Sequence, residues 1–169
     1  MSRELWLLRH AKSDRTVELE DFDRPLKKRG KKAALRLGTW MQQQQWLPDT
    51  VLSSPAKRAF STAKIVCAAI GIDKQAIQRD RRLYFNGVER LKTVLSECPI
   101  QSRRVLLVGH NPDLEKLLIN LTGNKLPAAD KLLPTAALAR LIMPDDWRHL
   151  DTGCAQLISI TYAKSLPDG

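Results

Sequence analysis

The sequence contains only three cysteines, Cys67, Cys98 and Cys154, and their spacing matches no metal-binding motif. An odd, scattered set of cysteines predicts small, buried, reduced thiols in a cytoplasmic protein, and it argues against a zinc site. No apolar run approaches the roughly 20 residues that a membrane helix needs. The apolar run that follows the N-terminus, Leu5 to Leu8, is also too short for a signal peptide. We therefore expect a cytoplasmic protein with no membrane segment.

Acidic residues are also few, because 18 Asp and Glu stand against 28 Lys and Arg, a net charge of +10. Such a balance attracts anions, including nucleic acid, acidic protein surfaces and phosphorylated substrates. Much of the charge lies in "LKKRGKKAALR", which contains the cluster from Lys27 to Lys32. A cluster of this kind is more often the solvated face of a helix, so charge alone does not favour nucleic acid. The length of 169 residues is typical of one domain, predicted here over residues 1–169.

Alternating apolar and amphipathic segments predict an α/β fold. Residues 3–8 form an apolar run without alternation, which is typical of a parallel strand buried on both faces. A long polar loop, residues 11–24, precedes a helix that begins near Pro25, and Gly30 and Gly38 weaken the first turns of that helix. Further strands are predicted at 50–54, 75–80, 103–110, 135–143 and 154–162, with helices from Pro55 to Ile70 and from Val88 to Glu97, and a last helix through Leu121 that Asn111 and Pro112 cap. The expected architecture is a three-layer α/β/α sandwich, mostly parallel, with an added antiparallel C-terminal pair.

Three predicted strands deliver polar residues to the same edge of the sheet. The first ends in Arg9 and His10, the second leads to Arg58, and the fourth ends in His110. Ligands of open α/β sheets bind outside the carboxyl ends of the strands. Guanidinium groups bind phosphate by charge-assisted hydrogen bonds, and a neutral imidazole beside that anion can attack phosphorus. The third histidine, His149, has no companion motif and is predicted to lie on the surface.

The segments "LLRHAKS", "LSSPAKRAFSTA" and "VLLVGHNPDL" resemble the three signature segments of the histidine phosphatase superfamily, most closely its short SixA-type phosphohistidine phosphatases. The resemblance covers essentially the whole chain and implies a phosphoglycerate mutase-like fold. It also implies His10 as nucleophile and Arg9, Arg58 and His110 as the rest of the phosphate pocket, without metal or cofactor. Ser13 and Asn111 are further candidates for contact with the phosphate or its loop. Asn111 is equally well explained as a helix cap.

The chain departs from the superfamily pattern in its acids. Asn111 stands where histidine acid phosphatases have an aspartate, and Ala11 replaces a frequent glycine. Mutases and many phosphomonoesterases carry a glutamate in the segment that reads "RRLYFNGVERLK" here, where Glu89 is the sole acid. Asp14 and Glu89 are the candidate proton donors, although Glu89 fits a solvated helix face as well.

The missing acid favours one substrate class. An alkoxide leaving group needs a proton in the transition state, a contribution of about 10²–10⁴-fold, whereas imidazole leaves more readily. The hypothesis is therefore a phosphatase for phosphohistidine on a partner protein, with a basic rim around an open pocket. Two alternatives stay open: a broad phosphomonoesterase for small phosphate esters, and a non-catalytic phosphate- or nucleic-acid-binding module. The sequence does not determine the oligomeric state.

Overall fold

A mixed sheet of six strands forms the centre of the molecule. The computed structural model describes residues 2–168, so Met1 and Gly169 of the predicted domain lie outside the described residues. The strand order is β3-β2-β4-β1-β5-β6. The strands are β1 (Arg3–Arg9), β2 (Thr50–Ser53), β3 (Ile77–Arg79), β4 (Arg104–Gly109), β5 (Ala137–Met143) and β6 (Gln156–Tyr162). Strands β1 to β4 are parallel, and β5 and β6 form the antiparallel C-terminal pair that the sequence predicts.

Four helices cover the two faces of this sheet. They are α1 (Lys28–Gln44), α2 (Lys57–Ala69), α3 (Val88–Ser96) and α4 (Asp113–Thr122). In β1, Leu5 and Leu7 pack in the core layer that contains α3 and α4, whereas Trp6 and Leu8 pack in the layer of α1 and α2. Both faces of β1 are therefore buried, which explains an apolar run without alternation. The predicted three-layer α/β/α sandwich is confirmed.

The start of α1 corrects the sequence-based expectation. The helix begins at Lys28 rather than at Pro25, because Ser13 and Leu26 pair as an isolated antiparallel bridge and hold this segment extended. From Lys28 the helix is continuous to Gln44, through Gly30 and Gly38. A Cβ at Gly30 would lie 2.2 Å from the carbonyl oxygen of Lys12, so this glycine allows α1 to approach the loop that follows β1.

Helix α2 begins later than predicted. Ser54 and Pro55 form the turn before α2, where the Ser54 hydroxyl accepts a hydrogen bond from the backbone N–H of Ala56. This shift leaves Arg58 in the first turn of α2, as predicted. Helix α4 begins at Asp113, directly after Pro112, which occupies the N-cap position.

The cysteines are free thiols, but they are not uniformly buried as expected. Cys67 is buried, whereas Cys98 and Cys154 are half-buried. Burial raises the pKa of Cys67 and of Cys98 to about 11, so both thiols are protonated at neutral pH. Within residues 2–168, no helix combines the length and the apolar character needed to cross a membrane.

Candidate active site

Two histidines meet at the carboxyl ends of the central strands. His10 directly follows β1 and His110 directly follows β4, and the two strands are parallel neighbours. The backbone N–H of His10 donates to the carbonyl oxygen of Gly109, which ties the two strand ends together. The imidazole centroids lie 5.2 Å apart, and both side chains are buried. The structure therefore brings together the two histidines that the sequence placed at one sheet edge.

The tautomer of His10 is set by a backbone contact. Its Nδ1 lies 2.8 Å from the carbonyl oxygen of Ala11. A carbonyl oxygen only accepts, so Nδ1 carries the proton and Nε2 keeps a free electron pair. The pKa of His10 is lowered to about 3. Burial is the main cause, the hydrogen bond to Ala11 opposes it, and the charge of the nearby Arg58 adds to it. His10 is therefore a neutral imidazole at neutral pH, the form that can attack phosphorus.

His110 is held by the turn that precedes α2. Its Nε2 lies 2.8 Å from the hydroxyl of Ser54. Burial lowers the pKa of His110 to about 2, with further contributions from His10 and Arg58. Its Nδ1 is buried and has no hydrogen-bond partner in the described part of the chain.

Arg9 and Arg58 bring positive charge to the same place. Arg58 is almost fully buried, and Arg9 donates from Nη1 to the carbonyl oxygen of Leu133 at 3.2 Å. The Nε atoms of both arginines are buried without a protein partner in residues 2–168, like Nδ1 of His110. An unpaired buried donor costs about 1–3 kcal/mol. Unpaired nitrogens from three elements around His10 are typical of a site built to bind an anion such as phosphate.

Asp21 is a member of this cluster that the sequence did not indicate. Arg58 donates to its carbonyl oxygen at 2.6 Å and to its carboxylate at 2.9 Å. Tyr84 donates to the same carboxylate oxygen at 2.5 Å, and Arg24 donates to the other oxygen. Burial works to raise the pKa of Asp21, but the hydrogen bonds from Tyr84, Arg58 and Arg24 outweigh it and lower the pKa. Asp21 is therefore an ionised acceptor that orients Arg58.

The two predicted phosphate contacts are engaged elsewhere. The Ser13 hydroxyl is buried and accepts a hydrogen bond from Arg24. Asn111 donates to Glu115 and to the carbonyl oxygen of Leu133, and its side-chain oxygen accepts from the Glu115 backbone N–H. These bonds match the helix-cap interpretation of Asn111, and a phosphate contact by either residue stays a prediction.

The two predicted proton donors are also engaged in local structure. Asp14 accepts hydrogen bonds from the backbone N–H and the hydroxyl of Thr16, and these bonds lower its pKa. Glu89 is exposed in the first turn of α3, as the solvated-face interpretation predicts. Within residues 2–168, neither Asp14 nor Glu89 forms a hydrogen bond with His10 or His110. His149 is exposed and contacts Asp146, consistent with its predicted surface position.

An aromatic wall, defined as Phe22, Tyr84 and Phe85, stands beside His110. The Phe85 ring centroid lies 4.6 Å from that of His110, and the Tyr84 centroid lies 5.4 Å from it. Phe22 packs edge-to-face on Tyr84 at 5.2 Å. Only 5% of the chain is aromatic, so the adjacent aromatics of "RRLYFNG" are the sequence signal that could have indicated this wall.

A basic cluster surrounds Lys12, which lies two residues after His10. Burial lowers the pKa of Lys12, and the charges of four nearby cations lower it further: Arg29, Lys27, Arg15 and Lys131. None of these five makes an ion pair within residues 2–168. The same described range holds no group of three or more His, Cys, Asp or Glu side chains arranged to hold a metal ion.

Comparison with known proteins agrees with this geometry. Residues 5–84 match the sequence model of the histidine phosphatase superfamily (branch 1). An uncharacterized protein of Mycobacterium tuberculosis, Rv1276c, is 31% identical over 157 residues, which cover 89% of this chain and 96% of the relative. The chain therefore belongs to the histidine phosphatase superfamily, a class of phosphatases.

Solved structures place it within that class. A protein of Nakamurella multipartitia assigned as a phosphohistidine phosphatase SixA superimposes with a TM-score of 0.81 at 26% identity, over 96% of both chains. The protein histidine phosphatase SixA in complex with tungstate has the same fold, with a TM-score of 0.81 at 19% identity over 95% of this chain and 97% of that one. The chain is thus of the SixA type.

Proposed function

We propose that this protein hydrolyses phosphohistidine on a partner protein, through a covalent phosphohistidine formed on His10. The observation that carries the proposal is the state of the carboxylate at the site. Asp21 is held ionised by Arg58, Arg24 and Tyr84, so it is not a proton donor. A site without a protonated carboxylic acid suits a leaving group that departs without strong acid assistance. Imidazole meets that condition, and an alkoxide does not.

The geometry of the two histidines supports the following reaction. The free electron pair on Nε2 of His10 attacks phosphorus and forms a P–N bond. The substrate ring is already protonated on its other nitrogen, so when its P–N bond breaks the electron pair returns to the ring and it departs as neutral imidazole. Water then attacks the phosphorus on His10 and passes a proton to a phosphoryl oxygen. The P–N bond breaks with its electron pair returning to Nε2, which releases inorganic phosphate and restores the neutral imidazole. The Nδ1–H bond to Ala11 keeps Nε2 oriented through both steps.

The remaining residues stabilise charge on the transferring group. Arg9 and Arg58 supply fixed positive charge and unpaired N–H donors to the phosphoryl oxygens. Bound phosphate raises the proton affinity of His110, so that Nδ1 donates a hydrogen bond to the same group. Each of these interactions strengthens as negative charge builds up in the transition state.

The basic cluster favours a macromolecular substrate with an acidic surface. Lys12, two residues after His10, lies among four further cations that make no ion pair in the described part of the chain, more charge than one phosphoryl group needs, and the whole chain carries a net charge of +10. Positive charge at the rim accelerates association with an acidic protein, and added salt weakens the effect. The proposed partner is therefore a phosphohistidine-bearing domain with acidic residues around its histidine.

The test is phosphate release from a phosphohistidine-bearing phosphotransfer domain by wild type, by His10→Ala and by His149→Ala. We expect release by wild type and by the His149 variant, whose imidazole lies on the surface, and none by the His10 variant. The rate at low substrate concentration should fall with added salt. Release from p-nitrophenyl phosphate that rivals release from the domain would favour the broad phosphomonoesterase. No release from either substrate would favour the binding module.

A further inference from the structure

Phe85 is an exposed aromatic residue in an unfavourable backbone conformation. Its φ is +55°, in the left-handed region that bulky L residues avoid, and its side chain is 45% exposed. Nearly half of this large apolar side chain remains exposed, so burial in the core does not explain the conformation. Conformations of this kind persist where the surrounding structure imposes them, and they cluster at functional sites.

The loop that carries Phe85 is fixed at both ends. Leu83 is buried in the core, and the side-chain amide of Asn86 donates to the carbonyl oxygens of Arg81 and Tyr84. The backbone N–H of Gly87 donates to Asp113, in the first turn of α4 and close in sequence to His110. The position of the Phe85 ring is therefore set by the fold.

Phe85 faces the groups that surround the phosphate site. Its ring lies 4.6 Å from the His110 ring, centroid to centroid and 31° from parallel, and the Arg58 guanidinium lies 5.9 Å from its centroid. Tyr84 packs edge-to-face on Phe85 at 4.9 Å and is fixed in turn by Asp21. A group bound to phosphorus and leaving the site on this side therefore meets a rigid aromatic surface.

We propose that Tyr84 and Phe85 recognise a planar leaving group, the imidazole ring of phosphohistidine, and that Phe85 is the residue that selects planar over aliphatic groups. Aromatic rings attract one another in stacked and edge-to-face arrangements at centroid distances of about 4.5–7 Å. The exposed part of Phe85 allows a substrate ring to approach within this range. This inference rests on the proposed function for the identity of the ring.

The alternative role for Phe85 is to shield His110 from water. The two roles predict different binding affinities for ligands that have the same charge but differ in whether they carry a ring. Shielding affects every phosphoryl ligand alike, because all of them contact His110. Stacking affects only those ligands that carry a ring.

The experiment compares the dissociation constants of phenylphosphonate and methylphosphonate by calorimetry. Both carry the same anionic group and neither is hydrolysed, so the comparison does not depend on turnover. The proteins are wild type, Phe85→Leu, Phe85→Trp and the control Phe60→Leu, whose ring lies on α2 beneath Arg79 and Lys64. We expect wild type to prefer phenylphosphonate about fivefold, within the two- to tenfold range typical of an aromatic pair.

The preference should fall below twofold in Phe85→Leu and persist in Phe85→Trp and Phe60→Leu. An unchanged preference in Phe85→Leu, with both ligands weakened alike, would overturn the inference and support shielding. Absence of binding by wild type would overturn it as well. If wild type does not hydrolyse phosphohistidine but still prefers phenylphosphonate, the proposed function is refuted and the recognition of planar groups stands.

Discussion

Replacing Gly30 with alanine has two opposite effects on the free energy of unfolding. Alanine is favoured over glycine inside a helix by about 1 kcal/mol, so propensity alone predicts a more stable protein. The structure predicts the reverse, because the new Cβ would lie 2.2 Å from the Lys12 carbonyl oxygen, a separation that must grow to at least 3.0 Å. The obstructing atom is backbone, so the chain itself has to move.

The magnitude follows from the contacts that would be disturbed. Overpacking against a backbone costs about 1–3 kcal/mol, and loss of the Lys27 N–H bond to the Lys12 carbonyl adds about 1 kcal/mol. After the gain in propensity, Gly30→Ala should be less stable by about 2 kcal/mol, with Tm lowered by about 4–8 °C. Because Lys12 lies two residues from His10, kcat should also fall about tenfold through misplacement of the nucleophile.

Gly38→Ala is the matched control. It lies in the same helix, and its Cβ would lie 2.7 Å from the Cβ of Ala69, at the contact of α1 with α2 and away from the strand ends. We expect lower stability with unchanged kcat. The measurements are urea unfolding followed by circular dichroism, and phosphate release at saturating substrate. A Gly30→Ala protein that is about 1 kcal/mol more stable than wild type, with full activity, would refute the reasoning.

Two further predictions concern charge at the site. Asp21→Asn should lower kcat about tenfold and change KM less than threefold, because Arg58 keeps its charge and its bond to the residue 21 carbonyl oxygen but loses the ion pair with the carboxylate that helps to orient it. Steady-state kinetics check this, and a raised KM with unchanged kcat would contradict it. Stability should fall as pH decreases from about 6.5 towards 3, because the unfolded chain then binds protons that buried His10 and His110 do not. The slope should approach about 1.4 kcal/mol per pH unit for each histidine. Urea unfolding at several pH values should show a shallower slope in His10→Gln, and an equal slope would count against the prediction.

The sequence predicted the layers of the fold because burial leaves a direct mark on residue type. The unbroken apolar run of β1 requires helices on both sides of the strand, and the core layers on its two faces supply them. The same reasoning predicted that His10 and His110 would meet, since the carboxyl ends of parallel strands share one edge. The prediction that α1 begins at Pro25 was wrong, because the bridge between Ser13 and Leu26 is a tertiary contact that local helix propensity does not indicate.

Sequence alone therefore determined the nucleophile candidate, its neighbouring arginines and the sheet edge that carries them. Each of these residues ends a strand, directly follows one, or lies in the first turn of a helix. Only the tertiary structure decided that Asp21 orients Arg58 and that Phe85 faces His110. Asp21 lies in a single 3₁₀ turn, Asp21–Asp23, and Phe85 lies in a bend, and both segments are too short for sequence periodicity to link a position to a direction in space. Their places depend on contacts with distant elements, and those contacts exist only once the chain has folded.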